Sequence, residues 1–372
     1  MIVGIDARIP ISTGRGWGRY ACEIIQALTA TQELELRILL PKGSLADRLA
    51  AQLRPSRNVQ TACVDFAPSS PDHYCLATRG INLETVFGRV DVLHSPTRFI
   101  LPSNIRPLVA TVHDVAPLSE PAFKSEYRHA TWRAIEYIRK HDVQLITVSK
   151  FTRRELGTRA GLPIDDVVVV HHGVSDVFAP SSKAARAARG EYLLYVGGAG
   201  PNKNLERLLA AVRRLRETHR LDLVMAGDHA WDREELRRAL GPDAPRWVRP
   251  RGYVTEHELA DLYRNAAVCL VPSLHEGFGL PVLEAMACGT PVACSRIPVL
   301  EEVAEDAAAY FDPWSVEDIA LAVGALLDDR DLAAKLVERG RARAQEFTWA
   351  KAARETLAVY RQALSGNGLR GA

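Results

Sequence analysis

The stretch "LHEGFGLPVLEAMACGTPVACS", residues 274–295, places two glutamates around a glycine-containing turn and the start of a helix. The preceding run "AAVCLVPS" has the pattern of a buried strand, and Pro281 suits the first helical position, where an N–H is not needed. Gly289 is a typical helix stop, so the sequence predicts a helix over roughly 281–288. Glu276 therefore lies before this helix and Glu284 lies inside it.

The start of this predicted helix is a candidate anion site. The backbone N–H groups near Phe278, Gly279 and Leu280 lack partners within the helix, and such groups attract anions. Two carboxylates would repel a phosphate, but they can accept hydrogen bonds from hydroxyl groups on either side of it. A nucleotide sugar offers a ribose diol on one side of its diphosphate and sugar hydroxyls on the other. The alternative is an ordinary turn, with Glu284 on a solvated helix face.

Strand-like and helix-like segments alternate through both halves of the chain. The predicted strands of the first half are "MIVGI", "LRILL", "DVLHS", "LVATVH" and "QLITVS", and those of the second are "YLLYVGG", "LDLVMAG", "WVRPRGYV", "AAVCLVPS" and "TPVACS". Between them, "SSKAARAARGE" has the composition of a linker. Such alternation predicts parallel sheets that bind ligands at the carboxyl ends of their strands. We therefore expect an α/β protein with two Rossmann-like domains facing a central cleft.

Composition excludes several classes of protein. The chain has 372 residues, more than one hydrophobic core usually supports, and its net charge of +2 gives no case for nucleic acid as a partner. Its six cysteines show no metal-ligand spacing and suit a reducing compartment. The opening "MIVGIDARIP" reads as a strand rather than a signal peptide, and no apolar run is long enough to span a bilayer. We expect a cytoplasmic protein.

Six segments resemble, in order, the motifs of one family. They are "GWGRYACEII", "TVHDVAPLSEP", "VSKFTRREL", "YVGGAGPNKNLERLLAA", "RGYVTEHELADLYRNAAV" and "EGFGLPVLEAMACGTPVA". Together they make almost the whole chain similar to the retaining glycosyltransferases of family 4, which have the GT-B fold, and to their mannosyltransferase-like subset. The resemblance implies a hexosyltransferase that uses a nucleotide-diphosphate sugar, a glycan or lipid-linked acceptor, and no cofactor.

The resemblance also implies a domain plan. The N-terminal Rossmann-like domain, over 1–180, would bind the acceptor, and a linker would follow over 181–190. The second Rossmann-like domain, over 191–348, would bind the nucleotide sugar. The C-terminal helix over 349–365, "WAKAARETLAVYRQAL", would cross back to the N-terminal domain.

In the second half, the resemblance implies four donor-binding roles. Glu284 would bind the ribose diol, Glu276 the hydroxyls of the donor sugar, and Lys203 the diphosphate. The base would pack against the segment that contains Val254. Lys203 would also support catalysis, because cleavage of the sugar–nucleotide bond leaves growing negative charge on the diphosphate. Glu276 would count as catalytic through its contact with the donor sugar.

In the first half, the resemblance implies that Gly16 and Gly18 let the first helix approach the diphosphate and the acceptor. They belong to a loose G-x-G pattern that follows a strand and opens a helix. His113 ends a predicted strand and would lie beside the reacting sugar as a neutral imidazole, with Asp114 holding its loop. Trp17 would either shape the acceptor entrance or simply pack.

No metal ion is expected. The D-x-D pair Asp329 and Asp331 reads as a surface helix junction, so the leaving diphosphate must be met by Lys203 and by helix N-termini. Gly198 occupies the place where the family often has an arginine, which removes one cation. A subset with similar loops often uses GDP-mannose or related donors, and the predicted donor follows that subset.

The two glutamates are not expected to form the nucleophile pair of a retaining glycosidase, because the resemblance assigns both to donor binding. It implies instead a front-face attack in which the leaving diphosphate deprotonates the acceptor. Two other readings keep the fold: a GT-B sugar-nucleotide epimerase, and a non-catalytic scaffold partner of another enzyme.

Residues 98–159 carry eleven Lys or Arg against six Asp or Glu. Within them, "KSEYRHATWRAIEYIRKHD" predicts a basic amphipathic helix with Trp132, Ile135 and Ile138 facing inward. Family members that act on lipid-linked acceptors dock on anionic membranes through such surfaces, which implies a peripheral contact with the inner membrane face. The alternative is an ordinary solvated helix.

Overall fold

The computed structural model describes residues 1–13, 16–53, 56–65, 82–100, 103–119, 123–180, 192–227 and 246–366. The chain divides into two compact units. The first contains Met1–Gly173 and Thr348–Ala372, and the second contains Val174–Phe347. The linker predicted at 181–190 lies outside the described residues.

The first unit is built on a seven-stranded parallel sheet. Its strands are β1 (Ile2–Asp6), β2 (Glu35–Pro41), β3 (Val59–Val64), β4 (Val92–Ser95), β5 (Leu108–Val112), β6 (Val143–Thr147) and β7 (Val168–Val169). Their order is β3-β2-β1-β4-β5-β6-β7. The order reverses between β1 and β4, which is where open parallel sheets place their ligand sites.

Seven helices of the described N-terminal part accompany this sheet. They are α1 (Arg8–Thr13), α2 (Gly16–Ala30), α3 (Ser44–Leu53), α4 (Leu83–Phe87), α5 (Ala116–Ser119), α6 (Ser125–Lys140) and α7 (Lys150–Ala160). Strands β1, β4, β5 and β6 are almost wholly buried, as expected of a parallel sheet covered on both faces.

The second unit has a six-stranded parallel sheet of related topology. Its strands are β8 (Tyr192–Val196), β9 (Asp222–Ala226), β10 (Val248–Gly252), β11 (Ala266–Val271), β12 (Val292–Ser295) and β13 (Ala309–Phe311), in the order β10-β9-β8-β11-β12-β13. The order reverses between β8 and β11. The helices are α8 (Leu205–Leu215), α9 (Glu256–Asn265), α10 (Leu280–Cys288), α11 (Pro298–Ala304), α12 (Val316–Asp328) and α13 (Arg330–Ala344).

The C-terminal helix α14 (Trp349–Leu364) belongs to the first unit. It begins beside Gly173, whose missing side chain lets the two backbones touch. Trp349, Leu357 and Tyr360 of this helix share a hydrophobic core with Tyr20 of α2. Helix α14 is therefore part of the core of the first unit rather than an appended tail.

The predicted α/β class with parallel sheets is confirmed. The sequence does not predict β3, β7 and β13, each of which lies at an edge of its sheet. Strand β3 is largely exposed, while β7 and β13 have two and three residues. Edge strands need no continuous apolar run, so they leave a weak pattern in the sequence.

The turn after β1 also differs from the prediction. The sequence did not predict the six-residue helix α1, which lies between strand β1 and the glycine-opened helix. Helix α2 does begin at Gly16, so the glycine pattern still opens a helix.

Candidate active site

Lys203 and Glu276 meet at the carboxyl edge of the second sheet. Lys203 ends a short 3-10 turn after β8, and Glu276 lies in the loop after the neighbouring strand β11. Lys203 Nζ lies 2.6 Å from Glu276 Oε1, and the Ser273 hydroxyl donates to the same oxygen over 2.6 Å. The two charged side chains remain partly open, with 23% and 12% of their surfaces exposed. Sequence reasoning found both charges but missed Ser273.

Asn202, just before Lys203, ties the two loops together. Its Nδ2 donates to the His275 carbonyl over 3.0 Å, and its own backbone carbonyl accepts from the Leu274 amide over 2.8 Å. These bonds run directly alongside the contact between Lys203 and Glu276. The position of the lysine is thus fixed by the backbone around it as well as by its charge.

Helix α10 begins at Leu280 with a bare N-terminus. Gly279 before it adopts a left-handed φ of 104°, and a Cβ there would lie 2.6 Å from Leu300 Cδ2. Among the described residues, no side chain caps this helix, and none in its first turn is acidic. The Phe278 ring is buried 5.8 Å from the Phe347 ring, so Phe278 would offer a ligand its backbone only. The helix start has the form that binds anions.

Glu284 lies within α10 and is only 2% exposed. Its Oε2 accepts a hydrogen bond from the Tyr263 hydroxyl over 2.9 Å. Burial, helped by the Glu284 carboxylate, raises the pKa of the Cys269 thiol well above its usual value. The alternative that Glu284 lies on a solvated helix face is therefore wrong. A buried carboxylate is costly to keep without hydrogen-bond donors, and the Tyr263 hydroxyl supplies one.

Val254 lies between β10 and α9, half-buried at the carboxyl edge of the same sheet. The next residue, Thr255, begins α9 with a reciprocal capping pair to Glu258. In the sheet order, β10 is separated from β8 by β9. Val254 thus shares the edge that carries Lys203 and Glu276, two strands away from the lysine.

His113 follows β5 in the first unit and is buried. Its Nε2 lies 3.0 Å from the Pro96 carbonyl, which can only accept, so Nε2 carries the proton and Nδ1 has a lone pair in the neutral ring. Burial lowers the pKa of His113 to about 4. The ring stacks on Trp17 at 6.0 Å and meets the edge of Tyr20 at 4.7 Å. His113 is therefore a neutral, well-held imidazole at pH 7.

A buried hydrogen-bond chain connects this region to the C-terminal helix. Tyr360 Oη of α14 lies 2.7 Å from His94 Nδ1, His94 Nε2 lies 2.9 Å from Thr111 Oγ1, and Thr111 Oγ1 lies 3.1 Å from Tyr20 Oη. Burial lowers the pKa of His94 to about 3. Sequence reasoning missed this chain, because its ends are far apart in sequence and no local motif marks them.

The two predicted glycines have different surroundings. Gly18 is buried, and a Cβ there would lie 2.7 Å from the Pro10 carbonyl oxygen, so glycine is needed for α2 to pack on α1. Gly16 is exposed and a Cβ there would meet nothing within 4 Å. Trp17 between them packs on Phe99 and on the Arg98 guanidinium, 5.1 Å from its ring. These contacts are the ones expected if Trp17 simply packs.

The D-x-D pair lies at a surface helix junction, as predicted. Asp329 Oδ1 caps helix α13 by accepting from the amides of Asp331 and Leu332 at 3.0 and 2.9 Å. Both aspartates are exposed. Within the part of the chain that the structure describes, no group of three or more His, Cys, Asp or Glu is placed to hold a metal ion.

The basic helix exists as α6, but the predicted orientation of Trp132 is wrong. Ile135 and Ile138 face inward as predicted, whereas Trp132 is 39% exposed and Tyr127 is 41% exposed. The inward face instead consists of Ala130, Thr131, Ala134, Ile135 and Ile138. These five residues recur at helical spacing and form one buried stripe, and Trp132 lies outside it. No helix in the described ranges has the length and apolar character needed to cross a bilayer.

Comparison with known proteins places the chain in a family. A family model described as "Glycosyltransferase Family 4" matches residues 14–178, and one described as "Glycosyl transferases group 1" matches residues 180–343. The chain belongs to glycosyltransferase family 4. This glycosyltransferase is 29% identical over 365 residues to O-antigen chain mannosyltransferase B of Escherichia coli, covering 93% of this chain and 96% of that protein.

Two further likenesses agree with this assignment. The glycosyltransferase is 32% identical over 280 residues to the MMP alpha-(1->4)-mannosyltransferase of Mycolicibacterium hassiacum, covering 70% of this chain and 66% of that one. Its fold resembles that of sucrose-phosphate synthase from Thermosynechococcus elongatus, with a TM-score of 0.76 and 19% identity over 98% of this chain and 100% of the other. The family resemblance and the GT-B fold predicted from the sequence are confirmed.

Proposed function

We propose that this glycosyltransferase moves a mannosyl group from GDP-mannose to a hydroxyl of a glycan, lipid-linked or small-molecule acceptor, with retention and without a metal ion. The observation that carries the proposal is the pair of Lys203 and Glu276, 2.6 Å apart at the sheet edge that also holds the bare start of α10. Mannose is favoured because two relatives that cover most of this chain are named mannosyltransferases.

Each polar group has a role in this proposal. Lys203 and the first amides of α10 bind the donor diphosphate, Glu276 accepts from hydroxyls of the donor sugar, and Glu284 accepts from the ribose diol. A pre-aimed donor in a dry site is worth about 3–4 kcal/mol toward developing charge, and a helix terminus adds up to about 2 kcal/mol. Gly198 contributes no charge, so Lys203 carries more of the stabilisation than it would beside an arginine.

The proposed transfer is a front-face exchange at the anomeric carbon. The bond from this carbon to the diphosphate oxygen breaks, and a bond to the acceptor oxygen forms on the same face. The acceptor proton passes to the departing diphosphate, so the step needs no other base. His113, neutral at pH 7 because burial lowers its pKa, would orient the sugar by hydrogen bonding. Trapping of a covalent sugar adduct on Glu276, detected by mass spectrometry, would contradict this route.

Nucleotide binding tests the proposal most directly. Titration calorimetry and thermal shift with GDP, UDP, dTDP and ADP should single out GDP, and a ligand at 100 times its dissociation constant should stabilise the protein by about 2.7 kcal/mol. Glu284→Gln should weaken this binding. Glu155→Gln is a matched control, since Glu155 is also a buried carboxylate that accepts from a hydroxyl, that of Ser119 at 2.8 Å. The control should lose stability without losing nucleotide affinity.

Other outcomes favour the alternatives. If no nucleotide shifts the unfolding temperature, the scaffold reading replaces the proposal. If UDP binds in preference to GDP, the reaction class stands and the mannose donor is wrong. Release of an epimerised nucleotide sugar without any acceptor would indicate an epimerase.

Stereochemistry and metal dependence need a separate experiment. The proton NMR spectrum of sugar released from the donor should show the α anomer first, before mutarotation, and EDTA should leave the rate unchanged. Release of the β anomer would show inversion. Loss of activity with EDTA that magnesium or manganese restores would refute the metal-independent part.

We also propose that helix α6 contacts an anionic membrane surface. Trp132 and Tyr127 are exposed on a helix whose last turn carries Arg139 and Lys140. Exposed aromatic rings on a helix that also carries basic residues suit the boundary between headgroups and acyl chains. Vesicles containing anionic phospholipid should cosediment with the protein in low salt but not in high salt.

Two matched variants distinguish this contact from nonspecific binding of vesicles to exposed tryptophans. Trp132→Ala should reduce vesicle binding. Trp314→Ala should not, although Trp314 is 60% exposed in the second unit. Equal loss in both variants, or no binding by the wild type, would end the membrane proposal without affecting the proposed reaction.

A further inference from the structure

Asn204 directly follows Lys203 and has an unusual backbone conformation. It adopts φ 56° and ψ 38°, in the left-handed region, and stands immediately before helix α8. Few side chains tolerate this region, and asparagine is among them. The residue is buried, with 6% of its surface exposed. A buried asparagine in this conformation calls for a specific explanation.

The side chain of Asn204 bridges two other loops of the same sheet edge. Its Nδ2 donates to the Pro272 carbonyl over 3.0 Å and to the Pro313 carbonyl over 2.7 Å. Pro272 follows β11 and lies in the segment that continues to Glu276, while Pro313 follows β13. Its Oδ1 accepts from Arg207 over 3.1 Å. One side chain therefore connects the loops after three different strands.

These requirements together select asparagine. Glycine tolerates the backbone conformation but has no donor, and aspartate tolerates it but would direct oxygens at two carbonyls. Bridging both carbonyls takes an NH₂ group with two protons on a short side chain. Asparagine alone combines that group with tolerance of the left-handed region.

We propose that Asn204 is a positioning residue for the donor diphosphate. It acts through Lys203: by fastening the loop after β8 to the loop after β11, it keeps Lys203 Nζ against Glu276 Oε1 and aimed at the same ligand. Asn202 supports the same junction from the other side of the lysine. This inference rests on the proposed role of Lys203 in binding the nucleotide diphosphate.

The test is a double-mutant cycle on diphosphate affinity, measured by calorimetry with GDP and with UDP. Asn204→Gly keeps the backbone conformation and removes both donors, so we expect about tenfold weaker binding. Asn204→Asp should weaken binding at least as much. In a Lys203→Met background, Asn204→Gly should change affinity by less than about twofold, because the side chain it positions is gone.

Asn265→Ala is the matched control. Asn265 also donates from Nδ2 to a backbone carbonyl, that of Asp261 at 2.8 Å, but it lies at the opposite end of β11. It should leave diphosphate affinity within about twofold of the wild type. A purely structural role for Asn204 would lower the unfolding temperature without coupling to Lys203.

The outcomes are distinguishable. If Asn204→Gly binds like the wild type, or weakens binding equally with and without Lys203, the positioning role is overturned while the proposed function stands. If Lys203→Met leaves wild-type affinity unchanged, the role of the lysine fails and this inference fails with it. If the wild type binds neither diphosphate, the proposed function itself fails.

Discussion

The two units share a parallel-sheet topology but hold their candidate site residues by different means. In the second unit, Lys203 and Glu276 are joined by an ion pair and by short-range bonds between neighbouring loops. In the first unit, His113 is surrounded by aromatic rings, with Trp17 and Tyr20 against its faces and edge. One site region is ionic and partly open, while the other is aromatic and buried.

This difference has consequences for chemistry and for stability. An ion pair that is partly open can exchange its partner for an incoming charged ligand at small structural cost. A buried cluster of imidazoles and hydroxyls instead contributes to the stability of the fold, since each group must remain neutral and hydrogen-bonded. We therefore expect variants of Lys203 and Glu276 to change donor binding, and variants of the buried chain from His94 to Tyr360 to change stability.

The largest effect should follow from removing the lysine of the ionic site. Lys203→Ala should lower kcat/KM by about 10²–10³-fold, because the leaving diphosphate loses its pre-aimed cation. The rate of nucleoside diphosphate release measures this loss. Arg214→Ala is the control, since Arg214 pairs with Glu317 at the same 2.6 Å on the exposed surface. Comparable losses in both variants would mean that ion pairs of this unit act through stability alone.

Lowering the pH should destabilise the first unit more than the second. Burial lowers the pKa of His94 to about 3 and that of His113 to about 4, and it lowers the pKa of His172 well below its usual value. In the unfolded chain these groups titrate near 6.5, so below that pH the unfolded state binds more protons. For each of these histidines, every pH unit below about 6.5 lowers the free energy of unfolding by about 1.4 kcal/mol, until the pH reaches the pKa of that histidine in the folded protein.

Hydrogen exchange at pH 7 and pH 5, corrected for intrinsic rates, can measure this loss. Amides of β4 and β5 should lose much more protection than those of β11 and β12. The second unit serves as the internal control. Equal loss in the two sheets would show that the buried histidines do not govern acid stability.

The sequence predicts the ionic site better than the aromatic one, and the reason is physical. Glu276, the turn at Gly279 and Glu284 lie within nine residues of one another, so helix-start and helix-stop rules place them relative to each other. Lys203 lies in the loop after a predicted strand, and parallel strands bring such loops to one edge. What the sequence could not predict is which side chains hold those loops together, as Ser273 and Asn202 do.

The aromatic region depends on contacts between distant parts of the chain. His94 and Tyr360 are 266 positions apart, and nothing local to either residue indicates the other. Trp132 illustrates a different limit, since an amphipathic pattern identifies a helix but a single large apolar residue can lie beyond its buried stripe. Helix α1 escaped prediction because six residues are too few to show a period.

A smaller effect should follow from cutting the hydrogen-bond chain to the C-terminal helix. Tyr360→Phe leaves His94 Nδ1 buried without its 2.7 Å partner, which should cost about 1–3 kcal/mol of stability. The denaturant dependence of hydrogen exchange in the first unit measures it. Tyr310→Phe, which loses a 2.7 Å bond to the Glu305 carbonyl nearer the surface, should cost less. A change in nucleotide affinity in Tyr360→Phe would contradict the expectation that this hydrogen-bond chain affects stability and not donor binding.

The smallest effect should come from the D-x-D pair, which belongs to neither site. Asp329→Ala removes a helix cap and should cost about 1 kcal/mol, without changing the rate of nucleoside diphosphate release or its response to EDTA. Ser315→Ala is matched to it, because Ser315 caps helix α12 through the Asp318 amide at 3.1 Å. Similar thermal shifts in both variants, with unchanged rates, would assign Asp329 to the helix junction alone. A selective rate loss in Asp329→Ala that manganese reverses would instead mean that a metal-dependent site exists in addition to the ionic and the aromatic site regions.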